Sequence, residues 1–175
     1  MQTEKEAIAR LKRGDLDGLE FLVQSYQVKA VQAAYLILRD RAQAEDVVQA
    51  AFLNAAHKIG GFDPERPFGP WFLRSVINAA LKVAQKHRRL VSLDEDWSAQ
   101  AESFIAALPD EAPRPEEVFE AAETRQAIWQ ALEQITPEQR AAIVMRYFLG
   151  WSEEQIAGQL QRPRSTVKWW LRAGR

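Results

Sequence analysis

The chain has 175 residues, of which 47% are hydrophobic, and a formal net charge of −1, so it can form one domain or two small ones with a buried core. It has no cysteine and only two histidines, which argues against a disulfide framework and against a zinc site. The N-terminus lacks the apolar segment of a signal peptide, and no stretch is long and apolar enough to span a membrane, which predicts a soluble, cytoplasmic protein.

Two helices are predicted at the start of the chain. Thr3 and Glu6 have the spacing of a capping box, and Gly14 is a residue type that ends helices. A second helix is expected to be capped by Asp15. Its expected buried face recurs at helical spacing and consists of Leu16, Leu19, Leu22, Tyr26, Ala30, Ala34 and Leu38.

A third helix is predicted between Asp40 and the Gly60-Gly61 pair. Asp40 and Gln43 have the spacing of a helix start, and consecutive glycines favour a helix end. The inward face of this helix is predicted to consist of Val47, Val48, Ala51, Phe52, Ala55 and Ile59.

The next stretch, residues 62–89, reads FDPERPFGPWFLRSVINAALKVAQKHRR. A fourth helix is predicted to begin between Pro67 and Trp71 and to run to about Arg88. Arg74, Asn78 and Lys82 follow one side of it, and its end is basic. Aromatic side chains beside cations are typical of surfaces that bind single-stranded or melted DNA. An ordinary core helix with a solvated basic end fits this stretch equally well.

An acidic linker is predicted at residues 91–115, where proline and acidic residues replace the helical periodicity. The charges are strongly segregated. Residues 1–90 carry +4, residues 91–123 carry −9 and residues 124–175 carry +4. Two mildly basic units therefore flank an acidic connector, and the overall pI near 6.2 conceals this arrangement.

The second half of the chain is also predicted to be helical. A helix is expected from about Glu116 to Ile135, and a new one begins at Thr136, with Pro137 at its first position. It is expected to end at Gly150. Ser152 is predicted to cap a short helix that ends at Leu160, and a last helix begins near Pro163 or Arg164.

Residues 152–172 have the pattern of a helix-turn-helix. Ile156, Leu160, Val167 and Leu171 are its expected buried residues. The second helix would enter the DNA major groove and present Arg164, Ser165, Lys168 and Arg172. The turn holds Gln161 where many such motifs have glycine, and a left-handed backbone at a residue with a side chain costs about 1 kcal/mol.

These features together resemble the extracytoplasmic-function (ECF) group of bacterial RNA polymerase sigma factors. AEDVVQAAFLNA (44–55) resembles the family's polymerase-binding helix, and residues 62–80 resemble its promoter-melting and minus-ten segment. Residues 132–168 resemble its minus-thirty-five module. The resemblance implies an all-α fold of two small helical domains, at 1–90 and 116–175, joined by the acidic linker.

The resemblance also implies roles for particular residues. Asp46 and Gln49 match positions that contact core RNA polymerase. Asn78 matches a position that holds a flipped-out promoter base. Minus-ten DNA contacts are expected at Phe62, Phe68, Arg74, Asn78 and Lys82, and minus-thirty-five contacts at Arg164, Ser165, Lys168 and Arg172. Core RNA polymerase and promoter DNA are the implied partners, and an anti-sigma inhibitor protein is a further one to consider.

Trp169 and Trp170 depart from the family pattern, which commonly has a small residue and an arginine there. Because consecutive helical residues point about 100° apart, we expect Trp170 to be mostly buried and Trp169 to be mostly exposed. A contact of Trp169 with a protein partner is slightly favoured over a DNA contact, since Trp is enriched at interface hot spots.

The resemblance implies a sigma factor that directs core RNA polymerase to specific promoters and initiates transcription, and three other functions compete with this one. A free-standing helix-turn-helix regulator would leave residues 44–89 without a role. An enzyme is disfavoured, because the chain has no glycine-rich phosphate loop, no HExxH pair and no nucleophile elbow, so no catalytic residue, cofactor or metal is predicted. An interaction adaptor would use the exposed tryptophans.

Overall fold

The computed structural model describes residues 3–91, 130, 132 and 134–173, with side-chain surroundings defined to His87 in the first stretch and to Arg172 in the last. The chain divides into two compact units, residues 1–87 and 88–175. The described residues form helices and turns without a strand, which confirms the all-α prediction. The elements are α1 (Glu4–Lys12), α2 (Asp17–Leu38), α3 (Arg41–Lys58), a 3₁₀ turn (Ile59–Gly61), α4 (Phe68–Val91), α5 (Pro137–Ile143), a π turn (Val144–Phe148), α6 (Glu153–Leu160) and α7 (Arg164–Ala173).

The predicted linker, apart from its first residue, and most of the helix predicted before Ile135 lie outside the described residues.

The predicted helix starts are confirmed where a capping side chain lies three residues from its partner. Thr3 accepts a hydrogen bond from the backbone N–H of Glu6, whose carboxylate accepts one in return from Thr3. Asp40 accepts from the N–H of Gln43 at the start of α3. Capping boxes also open α5 and α6, as the sequence indicates. These contacts satisfy N–H groups that have no partner within the helix.

The start of α2 corrects one part of the sequence prediction. Leu16 directly precedes α2, and its side chain is 68% exposed instead of buried as predicted. It precedes the helix, so the helical periodicity does not extend to it. Asp15 does cap the start of α2 as predicted, because its carboxylate accepts a hydrogen bond from the Asp17 N–H at 3.1 Å, and it also accepts one from Arg10 Nε at 2.7 Å. The hydrogen bond from Arg10 lowers the pKa of the Asp15 carboxyl.

The core of the first unit lies between α1, α2, α3 and α4. All six residues predicted for the inward face of α3 are buried. On α2, Leu22, Ala30 and Ala34 are buried, whereas Leu19, Tyr26 and Leu38 are half-buried. Gly18 permits a close approach of α1 to α2, because a Cβ at this position would lie 2.3 Å from the Ala7 carbonyl oxygen.

The second unit contains the predicted helix-turn-helix in α6 and α7. Ile156 and Val167 are fully buried and Leu171 is 6% exposed, whereas Leu160 is only half-buried, which corrects the expectation that it belongs to the core. The turn residue Gln161 has the left-handed conformation expected from its position (φ 52°, ψ 45°). Its N–H donates to the Ala157 carbonyl and so closes the end of α6.

Two glycine substitutions are expected to have opposite effects on stability. Gly158→Ala lies in α6 with open space around the new methyl group, so it should stabilise the second unit by about 0.5–1 kcal/mol. Gly18→Ala should destabilise the first unit by about 1–3 kcal/mol, because the methyl group meets α1 backbone that cannot rotate away. Urea denaturation of both variants measures this, and wild-type stability of Gly18→Ala would contradict the close helix contact.

Candidate nucleic-acid interfaces

The polar side of α4 is an exposed row of side chains spaced four residues apart. Arg74, Asn78, Lys82 and Lys86 are all exposed, and the row extends about 18 Å along the helix. The opposite side of α4 is buried and consists of Phe72, Leu73, Val76, Ile77, Ala80, Leu81 and Ala84. Burial of this face therefore directs Arg74, Asn78 and Lys82 outward together, so that they can contact one extended polyanion.

Phe62 and Phe68 do not fit the expected DNA contacts. Phe62 is 5% exposed and Phe68 is fully buried. Their ring centroids lie 5.8 Å apart, and Trp71 packs against Phe62 at 4.8 Å and against Phe68 at 5.5 Å. The rings already have aromatic partners in the core, and neither can stack on a base in this conformation. The exposed part of the loop is polar and proline-rich, at residues 63–67.

Asp46 and Gln49 lie exposed on α3, as the sequence predicts. Beside them a cleft of about 370 Å³ opens between α2 and α3. Gln49 and Leu53 both line this cleft, and Leu53 is 56% exposed. A cleft with apolar walls and a polar rim, next to an exposed large apolar residue, is typical of a protein-binding surface.

Leu53 was missed by the sequence analysis. It lies four residues after Gln49 and seven after Asp46, so the three share one side of α3. That spacing was available in the sequence. The cleft itself was not, because α2 supplies its other wall through Leu19, Val23, Gln27 and Val31.

The last helix, α7, presents every predicted contact residue to solvent. Arg164, Ser165, Lys168 and Arg172 are all exposed. Arg164 Nε also lies 3.4 Å from a carboxylate oxygen of Glu153, on the first turn of α6. Trp169 is 62% exposed and Trp170 is half-buried, which agrees with the expected difference between the two.

The described residues contain no group of side chains able to hold a metal ion and no helix able to span a membrane. They do contain two exposed cationic helix faces, one of them in a helix-turn-helix. Such faces are typical of DNA-binding proteins.

The comparisons with known proteins identify the class more closely. Residues 22–90 match the family model for Sigma-70 region 2, and residues 125–175 match the one for Sigma-70, region 4. The chain is 30% identical to the RNA polymerase sigma-H factor of Pseudomonas aeruginosa, over 95% of this chain and 87% of that protein. It is 31% identical to the ECF RNA polymerase sigma-E factor of Escherichia coli, with the same coverage.

A solved structure shows the same fold. CnrH, in its complex with the cytosolic domain of CnrY, superposes with a TM-score of 0.59 at 22% identity, covering 98% of this chain and 91% of that one. The chain belongs to the extracytoplasmic-function group of RNA polymerase sigma factors. It directs core RNA polymerase to specific promoters and so initiates transcription.

The burial of Phe68 predicts a sharp contrast in stability between two α4 variants. Phe68→Ala should destabilise the first unit by about 3–5 kcal/mol, because it removes a fully buried ring with four aromatic neighbours. Asn78→Ala, at an exposed position, should change stability by no more than about 0.5 kcal/mol. Urea denaturation of the two variants tests this, and a small effect of Phe68→Ala would mean that the ring is not part of the core.

Proposed function

We propose that the two units share the recognition of a promoter. Residues 1–90 bind core polymerase and the minus-ten element, residues 116–175 bind the minus-thirty-five element, and the acidic residues 91–115 join them. The observation that carries this division is the presence of one exposed cationic face in each unit, on α4 and on α7. The protein acts without catalysing a reaction, and it works in the cytoplasm, where the promoter DNA is. An inhibitory protein is proposed as a further partner.

The polymerase contact is assigned to α3. Asp46 and Gln49 offer a carboxylate and an amide that can hydrogen-bond to a partner, and Leu53 adds an apolar contact at the mouth of the cleft. A combination of an apolar anchor with polar groups at its rim is what a specific protein interface needs.

Replacing Asp46 and Gln49 together by alanine should weaken binding to core polymerase by at least about tenfold, the effect of losing roughly 1.4 kcal/mol. The fold should be unaffected, because both side chains are exposed. Titration of labelled full-length protein with core polymerase measures the affinity.

The matched control replaces Glu20 and Gln24 by alanine. This pair has the same chemistry, is exposed on α2, and does not line the cleft. Equal affinities of the two double variants would exclude the assigned contact.

The minus-ten contact is assigned to the exposed row of α4. Asn78 lies between two cations, and its amide both donates and accepts hydrogen bonds, which suits recognition of the edge of a base. Arg74 and Lys82 are cations that donate hydrogen bonds but cannot accept them, so we assign them to phosphates.

Asn78→Ala should therefore change promoter preference at one base position and reduce open-complex formation. Lys82→Ala should instead weaken binding across all sequences and reduce the slope of log affinity against log salt concentration by about 1. Permanganate reactivity of melted thymines and salt titrations of promoter binding by the polymerase complex report the two effects. A uniform loss of affinity in Asn78→Ala would argue against base recognition.

The whole proposal is tested by transcription in vitro with core polymerase and a library of promoter fragments. Transcripts from a restricted set of promoters, which depend on this chain, are expected. Binding to DNA without co-purification of core polymerase would instead indicate a free-standing helix-turn-helix regulator.

A further inference from the structure

The exposed side of α7 consists of two neighbouring rows. Arg164, Lys168 and Arg172 are spaced by four residues and form a cationic row, while Ser165 and Trp169, also four apart, form a second row beside it. Residues four apart lie on nearly the same side of a helix, since 3.6 residues complete a turn. The second row is one residue further along the chain and so faces a different direction, about 100° away.

Trp169 lies opposite the buried edge of α7. Val167 is fully buried and Leu171 is 6% exposed, so these two mark the side that faces the core. Val167 lies two residues before Trp169 and Leu171 lies two residues after it. At about 100° per residue, the Trp169 side chain therefore points about 200° around the helix axis from each of them. Its 62% exposure agrees with this direction. The indole therefore extends toward whatever the helix docks on.

The surroundings of the indole favour DNA over an apolar protein groove. The segment from Arg162 to Arg172 carries four cations and no acidic residue. Glu153 lies near Arg164, and Arg164 is at the beginning of α7, about one and a half turns before the indole. Docking on an apolar partner would bring the remaining cations out of water without compensation, whereas DNA phosphates would neutralise them.

In the major groove, the thymine 5-methyl group is the apolar feature that a side chain can contact. We propose that Trp169 is a specificity-determining residue that packs on thymine methyl groups of the upstream promoter element. The cationic row of α7 then contacts phosphates beside it. This inference rests on the proposed binding of the minus-thirty-five element by the second unit, and it assigns Arg164, Lys168 and Arg172 to positioning more than to base reading.

The test uses the full-length chain bound to core polymerase. Promoter fragments with a randomised upstream element are selected for binding by the wild type and by Trp169→Ala, Trp169→Phe and Tyr147→Ala. Tyr147 is the matched control, because it is a 59% exposed aromatic residue of the same unit but lies in the π turn and not on α7. The preferred fragment is then prepared with deoxyuridine in place of each upstream thymidine, which removes only the methyl group.

For the wild type and Tyr147→Ala, deoxyuridine at one or two adjacent positions should weaken binding about fourfold per methyl group, as expected for one buried group of that size. In Trp169→Ala this sensitivity should disappear and thymine should no longer be preferred there. Trp169→Phe should retain part of it, since a flat apolar ring remains.

Equal deoxyuridine sensitivity of the wild type and Trp169→Ala would overturn the inference and leave the indole to a protein partner. A loss of binding by Trp169→Ala that is uniform over all sequences would also overturn it, because that is the behaviour of a phosphate-contacting or structural residue. If the wild-type complex selects no upstream sequence at all, the proposed role of the second unit fails and the inference falls with it. The first two results leave the proposed role of the second unit intact. Failure of the Trp169 inference is therefore distinguishable from failure of the proposed function.

Discussion

The first unit is organised around a hydrogen bond between the start of α4, at Phe68, and the carboxylate of Glu4 in α1. The Phe68 backbone N–H, at the first position of α4, donates a hydrogen bond to a Glu4 carboxylate oxygen at 3.2 Å. The other oxygen of this carboxylate accepts from the hydroxyl of Tyr26. One carboxylate therefore connects α1, α2 and α4. Its negative charge also lies where the dipole of α4 favours an anion.

The aromatic cluster reinforces this attachment. Tyr26 packs against the Phe68 ring with centroids 5.5 Å apart, and Phe72 stacks on Phe68 at the same distance. Gly69 lies directly against Tyr26, where a Cβ would come within 2.8 Å of the ring. Burial, followed by the hydrogen bond to Glu4, raises the pKa of Tyr26, so its hydroxyl stays protonated as a donor. The direction of α4, and with it of the row around Asn78, is thereby fixed.

The same packing explains how a loop can be both aromatic and polar. Phe62 and Phe68 anchor its two ends in the core, while residues 63–67 between them stay exposed. Lys12 Nζ donates to the Phe62 carbonyl at 2.6 Å, and Lys5 lies 3.4 Å from Glu65. The first helix thus holds the loop from outside. In the proposed DNA contact the first helix would act as a support, since a rigid loop and a rigid α4 keep the polar groups in a constant arrangement.

The proposed surfaces differ in how far the sequence alone predicts them. The exposure of Asp46, Gln49 and Asn78 follows from helical periodicity, because the apolar residues around them leave each on the outer side. The cleft beside Gln49 needs two helices that are distant in sequence, and no pattern within α3 reveals it. In α7, periodicity separates Trp169 from Trp170, while the burial of Val167 identifies which side faces the core.

The sequence by itself determined the helical class, the order of the helices and most of their ends. Those features depend on partners within about one helical turn, such as Thr136 with Gln139 and Ser152 with Gln155. Only the tertiary structure decided that Phe62 and Phe68 are core residues and that Leu16 is exposed. The Glu4–Phe68 contact joins positions 64 residues apart, and whether an aromatic ring meets DNA or another ring depends on which distant elements pack around it. Local spacing carries no information about that choice.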